Sequence, residues 1–398
     1  VRTRALILAA AAAAVVLLLS PALRSAPEAA PASGQACVAP ARWLSLQENA
    51  IREEGADALL ARLAGRPVVL LGEGHDIPEH HRWQLHTVAA LHARQPRMVM
   101  AFEMFPRGVQ PVLDRWVRGE LSEAELLRAT EWQRNWGYDA QMYLPLFHFA
   151  RMHRIPMVAL NVDRDFSRAV GEKGYDALPP EWRAEVGRPA PPQPAYEEFL
   201  FASFAQHGAG ERARRDDPAF PRFLEAQQVW DRAMAERIAT ARASDPAALV
   251  VGIMGTGHLM NGWGVPHQLR ALGVADPAVL LPWEPENDCQ RLRPGYADAV
   301  FGLAAREEPD AARPRLGLWL AAASGGVQIR RIEKGGLGEQ AGLRVGDLLV
   351  EIAGRAPAEP ADVSEAVQRQ APGTWLPLKV RRDGRTVEVI ARFPPAAP

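Results

Sequence analysis

Residues 67–75 read PVVLLGEGH and residues 248–258 read ALVVGIMGTGH. Each is a short, almost unbroken apolar run that ends in two glycines and a histidine. Apolar residues without alternation mark strands covered on both faces. Three further runs have the same character: RMVMAFEM (97–104), IPMVALN (155–161) and AVLLPW (278–283). Between the five lie stretches with helical spacing, at 80–93, 122–130, 144–153 and 220–241. Alternating β and α predicts an α/β fold, a mainly parallel sheet flanked by helices. Residues 171–221 break the rhythm with LPPEW, GRPAPPQPAY and HGAGERARRDDP. They predict a helical insertion, either a lid or a loose side element.

In a parallel sheet, sites form beyond the carboxyl ends of the strands. Gly72 and Gly74 deliver His75 to that edge, and Gly255 and Gly257 deliver His258 in the same way. Glycine allows the tight turn and close approach this needs. Glu73 lies within the first turn, and Glu103 ends the second strand. Two imidazoles with one or two carboxylates suit two chemistries. His75, Glu103 and His258 could ligate a divalent metal such as Zn, Mn or Fe with open positions. The same residues with Glu73 could act without metal, a histidine serving as general base oriented by glutamate. The bland alternative is that they only brace the turns. His80, His81 and His86 fall on the following helix. His81 can reach the edge as a further ligand, whereas His80 and His86 read as a solvated face. HDIPEHH is not a zinc-protease spacing. On helix 220–241, Gln227, Trp230, Asp231 and Met234 share one stripe. Trp230 and Met234 read as core, and Asp231 can bond a site histidine and set its tautomer.

The chain has 398 residues, 23% of them charged, with a formal net charge of -1. No long block of one charge appears, which argues against nucleic acid as a partner. Arg2 and Arg4 precede an apolar run from Ala5 to Leu19, then SPALRSAPEAAPASGQA. This predicts a signal peptide over 1–26, cleaved near Ala22 or Ala26, with an uncleaved anchor as the alternative. A disordered Ala/Pro linker over 27–41 follows. The expected location is periplasmic or otherwise in the cell envelope. Cys37 and Cys289 are the only cysteines. They are either unrelated or paired, and export with a count of two favours a disulfide.

The main domain reads as 42–290, a connector as 291–312 and a second domain as 313–395. LGLWLAA, GVQIRRIE, DLLVEIAG, TWLPLKVRRDG and TVEVIARF are short strands, and Asp383–Gly384 marks a hairpin. GGLGEQAGLRVGDLLVEIAG resembles the PDZ domains of bacterial proteases, small β-barrel-like modules. That resemblance implies that Leu316, Gly317 and Leu318 form the loop whose N–H groups receive a peptide's C-terminal carboxylate. The peptide would add as a strand beside Leu318–Leu320, against the helix around Val363–Val367. The alternative is a domain that keeps the fold and packs on a neighbour.

Residues 42 to 285 resemble the ChaN-type haem-binding proteins of the Tiki superfamily. The matching pieces are VVLLGEGHD, MVMAFEMFPR, NWGYDAQMYLPLFHFARMHRIPMVALNVDR, EAQQVWDRAMAERIA and VVGIMGTGHL, in the family's order. The resemblance implies an exported, iron-linked protein that binds haem through tyrosine, sometimes between the subunits of a homodimer. Within EWQRNWGYDAQMYLPLFHF the candidates for the iron ligand are Tyr138 and Tyr143, with His148 or His75 as possible second contacts and Trp132 and Trp136 to stack on the porphyrin; the alternative is that Tyr143, at helical spacing with Phe149, is core. No CxxCH motif occurs, so the haem would be non-covalent. Superfamily relatives divide in function. Tiki-type members are metal-dependent proteases, and erythromycin-esterase relatives hydrolyse an ester without metal. A metal-dependent, peptidase-like hydrolase fed by the PDZ domain is therefore the alternative to a haem-binding protein. Cys37 is a poor lipidation site, so lipid anchoring is not expected.

Overall fold

The computed structural model describes residues 37–47, 50–205, 214–305 and 315–395. The expected signal peptide and residues 27–36 of the linker lie outside the described residues, as do 206–213 of the insertion and 306–314 of the connector. The chain divides into two units near residue 305.

The first unit holds strands β1 (Trp43–Gln47), β2 (Ala50–Glu54), β3 (Val68–Glu73), β4 (Met98–Pro106), β5 (Met157–Asn161), β6 (Leu249–Gly255), β7 (Ala278–Trp283) and β8 (Ala299–Gly302). Its helices are α1 (Ala56–Ala64), α2 (Pro78–His92), α3 (Gln110–Arg118), α4 (Glu123–Ala129), α5 (Trp132–Asn135), α6 (Ala140–Met152), α7 (Arg164–Lys173), α8 (Pro180–Glu185), α9 (Pro194–Phe204), α10 (Ala219–Ser244) and α11 (Val265–Ala271). One eight-stranded sheet runs in the order β2-β1-β8-β7-β3-β6-β4-β5. The block from β8 to β5 is parallel, and β1 and β2 add antiparallel at one edge. All five strands read from the sequence form. Every residue of β3, β4, β6 and β7 is buried, as their unbroken apolar runs require. One core layer packs α1 to α6 on one face, and a second packs α10 and α11 on the other.

Three strands were not expected. Ala299–Gly302 lies within the stretch read as a connector, yet it pairs with Leu280–Trp283. Four residues carry too little pattern to stand out. β1 and β2 pair over only five residues each, and β2, AIREE, is exposed almost throughout. Its charges suit a sheet edge that must not recruit another strand. Helix α6 starts at Ala140 rather than Leu144. Asp139 caps it by accepting from the Gln141 N–H at 2.9 Å, and Pro145 is carried inside. The proline removes one helical hydrogen bond, which disguised the true start.

The insertion is helical, comprising α8, α9 and the ends of α7 and α10. Phe166, Val170, Tyr175, Leu178 and Val186 form a small core against Val229 and Ala233 of α10. It is therefore packed rather than loose. Cys37 and Cys289 form a disulfide with Cα atoms 5.6 Å apart.

The second unit is an antiparallel sheet in the order β13-β12-β11-β10-β9. Its strands are β9 (Leu318–Ala323), β10 (Gly326–Ile332), β11 (Leu348–Ile352), β12 (Trp375–Arg382) and β13 (Arg385–Arg392), with helices α12 (Leu337–Gln340) and α13 (Pro360–Gln368). Asp383 and Gly384 have φ of 49° and 78°. Two left-handed residues are what a two-residue hairpin between twisted strands needs.

Candidate functional site

The carboxyl ends of β3, β6 and β4 lie side by side, with Glu73 in register with Gly255. The repeated glycine turns work through close packing. A Cβ on Gly72 would lie 2.4 Å from Leu281 Cδ2, and one on Gly255 would lie 3.0 Å from His75 Cε1. The His75 ring therefore lies directly on the β6 backbone.

Glu73 is buried and collects donors. Tyr143 donates its hydroxyl at 3.0 Å, Gln84 its amide at 2.9 Å, and His75 Nδ1 lies at 2.9 Å. His75 thus gives Nδ1 to Glu73 and turns its other nitrogen towards Gly255. Its pKa is raised. Burial pulls it down, but the Glu73 hydrogen bond and the charges of Glu103 and Glu73 outweigh that. Tyr143 also donates to the His75 carbonyl at 3.1 Å.

The second half mirrors the first. His258 Nδ1 meets Asp231 Oδ1 at 2.6 Å, and Nε2 faces Glu103 Oε1 at 3.5 Å. Asp231 also accepts from the Tyr196 hydroxyl of α9 at 2.6 Å, and Glu103 accepts from the Gly255 N–H at 2.7 Å. Burial opposes charge on His258, yet the two carboxylates push its pKa up to about 10. Burial also raises the Asp231 carboxyl, while the His258 charge holds Glu103 below its usual range despite burial. Asp231 thus holds a site histidine, as its place on the helical stripe suggested. Tyr196 and Gln84 were not legible as site residues. Tyr196 sits in the proline-rich insertion, and Gln84 reads as one polar residue on an ordinary helix.

A cleft of about 420 Å³ opens beside His75. His75, Trp136, Tyr138, Arg164 and Trp230 are among its lining residues. The Tyr138 ring lies 5.2 Å from the His75 ring, and its residue is 37% exposed. Trp230, expected in the core, stands against the His258 ring at 5.0 Å, and its indole N–H has no acceptor. Arg164 makes no ion pair among the described residues.

Three expectations need correction. Tyr143 is fully buried, and its hydroxyl is committed to Glu73 and the His75 carbonyl. Burial and the adjacent Glu73 charge raise its pKa strongly, and it does not line the cleft beside His75. His148 pairs with Glu123 at 2.8 Å on the exposed side of α6 and shares no lining with the cleft. His75, Glu103 and His258 are adjacent, but no group of three or more His, Cys, Asp or Glu among the described residues is placed to hold a metal ion. His258 Nε2 faces Glu103 Oε1 at 3.5 Å, and His75 Nε2 is turned towards Gly255. Of the helix histidines, His80 settles differently and His81 does reach the strand edge. His80 is buried, with its Nδ1 accepting from the Gly74 N–H at 2.7 Å. His81 is buried and meets the His75 carbonyl through Nε2 at 3.2 Å.

The second unit has a groove of about 250 Å³ between β9 and α13. Leu316, Gly317, Leu318, Leu320, Val363 and Val367 all line it. Strand β9 is the sheet's edge, so its outward N–H and C=O groups face this groove without a partner strand.

The sequence profile of the family described as haem-binding uptake, Tiki superfamily, ChaN matches residues 59–269, more than half of the chain. The chain belongs to this family. A PDZ-domain profile matches residues 328–382, and the second unit is a PDZ domain. The solved structure described as "Cofacial heme binding to ChaN of Campylobacter jejuni" superposes with a TM-score of 0.52 at 18% identity, covering 65% of this chain and 96% of that one. That likeness bears on the fold. The HtrA3 PDZ domain bound to a phage-derived ligand (FGRWV) matches at 20% identity and TM-score 0.18, over 20% of this chain and 82% of that one. The serine endoprotease from Yersinia pestis matches at 22% identity and TM-score 0.19, over 20% and 28% of the two chains. No curated protein matches.

Proposed function

We propose that this chain is an exported, haem-binding protein whose PDZ domain takes up protein C-termini or extended peptides. The observation that carries the haem reading is the cleft beside His75, in a chain of the ChaN family. It offers a partly exposed phenol at Tyr138, aromatic walls at Trp136 and Trp230 and, among the described residues, an indole N–H without an acceptor and a cation without an ion pair at Arg164. Those features fit a flat, apolar, dianionic ring. Ferric haem brings an iron that accepts a phenolate as axial ligand. Tyr138 would offer the oxygen to the iron, Trp136 and Trp230 would pack against the ring, and Arg164 would pair with one of its carboxylates. Glu73 holds the His75 ring through Nδ1, which leaves Nε2 as a second contact.

Export is supported by the charged and apolar start of the sequence and by the Cys37–Cys289 bridge, which needs an oxidising compartment. These features support a periplasmic or envelope location.

The test is a visible-absorbance titration of haemin into the mature protein. A saturable tyrosinate-type ferric spectrum that Tyr138→Phe abolishes is expected. Absence of a saturable change would sink the haem reading.

One observation favours hydrolysis as a second reading. Glu73–His75 and Asp231–His258 are two carboxylate–imidazole pairs flanking Glu103, an arrangement suited to acid–base work. In that reading His75 is the general base. Loss of ester or peptide cleavage in His75→Ala, with haemin binding absent from the wild type, would select it.

A further inference from the structure

We infer that the PDZ groove selects protein C-termini whose penultimate residue is acidic, through Arg331 held flat on Trp319. This inference rests on the peptide-binding reading of the groove. The argument begins with strand alternation. Leu318 and Leu320 of β9 pack towards the domain core, together with Leu316, Val363 and Val367. A peptide added beside β9 places its last side chain in that apolar pocket. Successive side chains on a strand point to opposite faces. The penultimate side chain therefore lies on the other face, beside Trp319.

Trp319 is 45% exposed and takes no part in the core. Arg331, its cross-strand partner on β10, lays its guanidinium 3.4 Å from the centre of the indole ring. Stacking uses the face of the guanidinium and leaves its in-plane N–H groups free. No carboxylate pairs with Arg331 among the described residues. Immediately beside an open strand edge there is thus an oriented, uncompensated fork of donors. A carboxylate is the side chain that fits it in two-point geometry. Holding the arginine on the ring beforehand reduces the entropy lost on pairing. A lysine at the same place meets like charge.

The experiment is fluorescence anisotropy with the full chain and labelled peptides ending in Xaa-Val, where Xaa is Glu, Ala, Lys or Trp. Amidated controls are included. The Glu peptide should bind roughly threefold to fivefold tighter than the Ala peptide, the size of a well-oriented exposed pair. The Lys peptide should be weakest, and the spread should shrink in about 1 M salt. Arg331→Gln should remove the preference among the four peptides while all of them still bind with a free carboxylate, which also shows that the domain is folded. Arg331→Glu should reverse the order of Glu and Lys. Equal affinities, a Trp peptide binding tightest, or a preference that survives Arg331→Gln would each overturn the inference alone. Failure of every free-carboxylate peptide to bind, or equal binding of amidated ones, would overturn the peptide-binding reading with it.

Discussion

His258 Nδ1 lies 2.6 Å from Asp231 Oδ1, and its Nε2 faces Glu103 Oε1 at 3.5 Å, so one imidazole spans two fully buried carboxylates. Nothing else nearby compensates those charges as directly. The bridge links β4, α10 and the turn after β6, and through Tyr196 it reaches the helical insertion.

Stability should therefore depend on pH through His258. Its folded pKa, about 10, lies above its ordinary value of 6.5. A raised folded pKa means that the contribution is whole below about pH 6.5 and is lost as pH climbs through about 10. Urea melts between pH 6 and 10.5 should show this decline. His258→Gln should remove that limb and cost about 3–5 kcal/mol at neutral pH, because two buried carboxylates lose their counter-charge. A variant that kept the alkaline decline would assign it to another group.

The two tyrosines near His75 should separate structure from binding. Tyr143→Phe removes a buried donor from Glu73 and should cost about 1–3 kcal/mol in thermal or urea unfolding. The haem spectrum should keep its tyrosinate bands. Tyr138→Phe touches a partly exposed ring and should leave stability within about 0.5 kcal/mol. It should remove those bands. The opposite pattern would return the ligand role to Tyr143.

The disulfide should matter more than its surface position suggests. Cys37 and Cys289 are 252 residues apart in sequence, and the bridge constrains that whole span in the unfolded chain. Replacing both by serine should lower stability by up to about 5.5 kcal/mol on the loop-entropy account. Unfolding with and without reductant checks this: wild type in reductant should approach the double variant, and the variant should ignore reductant.

The parts of this fold that were legible are those whose burial forces a pattern. β3, β4, β6 and β7 are covered on both faces, so each reads as an apolar run. The glycine turns behind His75 and His258 were visible because they repeat, and Asp231 stood out as an acid on an apolar stripe. What escaped notice is either too short to have a period, such as β8, or functional by contact alone. Tyr196 reaches Asp231 from a proline-rich insertion, and no local spacing announces a partner 35 residues away. Tyr138 and Tyr143 look equivalent in sequence. Their separation comes from local placement: Tyr138 lies in the turn before α6, at the cleft, whereas Tyr143 lies on the buried face of α6 against Glu73. His80 was misread for the same reason: its helix begins at Pro78, and the Gly74 N–H caps the ring from behind.

Gly255 offers the most local test of the site's construction. A Cβ there would lie 3.0 Å from His75 Cε1, 3.2 Å from Nε2 and 3.7 Å from Glu103 Oε2. Its φ is not left-handed, so alanine is tolerated by the backbone, and any penalty comes from the side chains it meets. The His75 ring must give way, since the β6 backbone is locked between β3 and β4. Gly255→Ala should therefore displace the ring from Glu73 and cost about 1–3 kcal/mol, the range for an overpacked site. The same variant should move the His75 imidazole pKa back down, because the Glu73 hydrogen bond that raises it is weakened. An NMR titration of the histidine ring protons reads that shift. A cost without a shift would mean that the surrounding strands move instead, and that His75 is held more firmly than its partly exposed position implies.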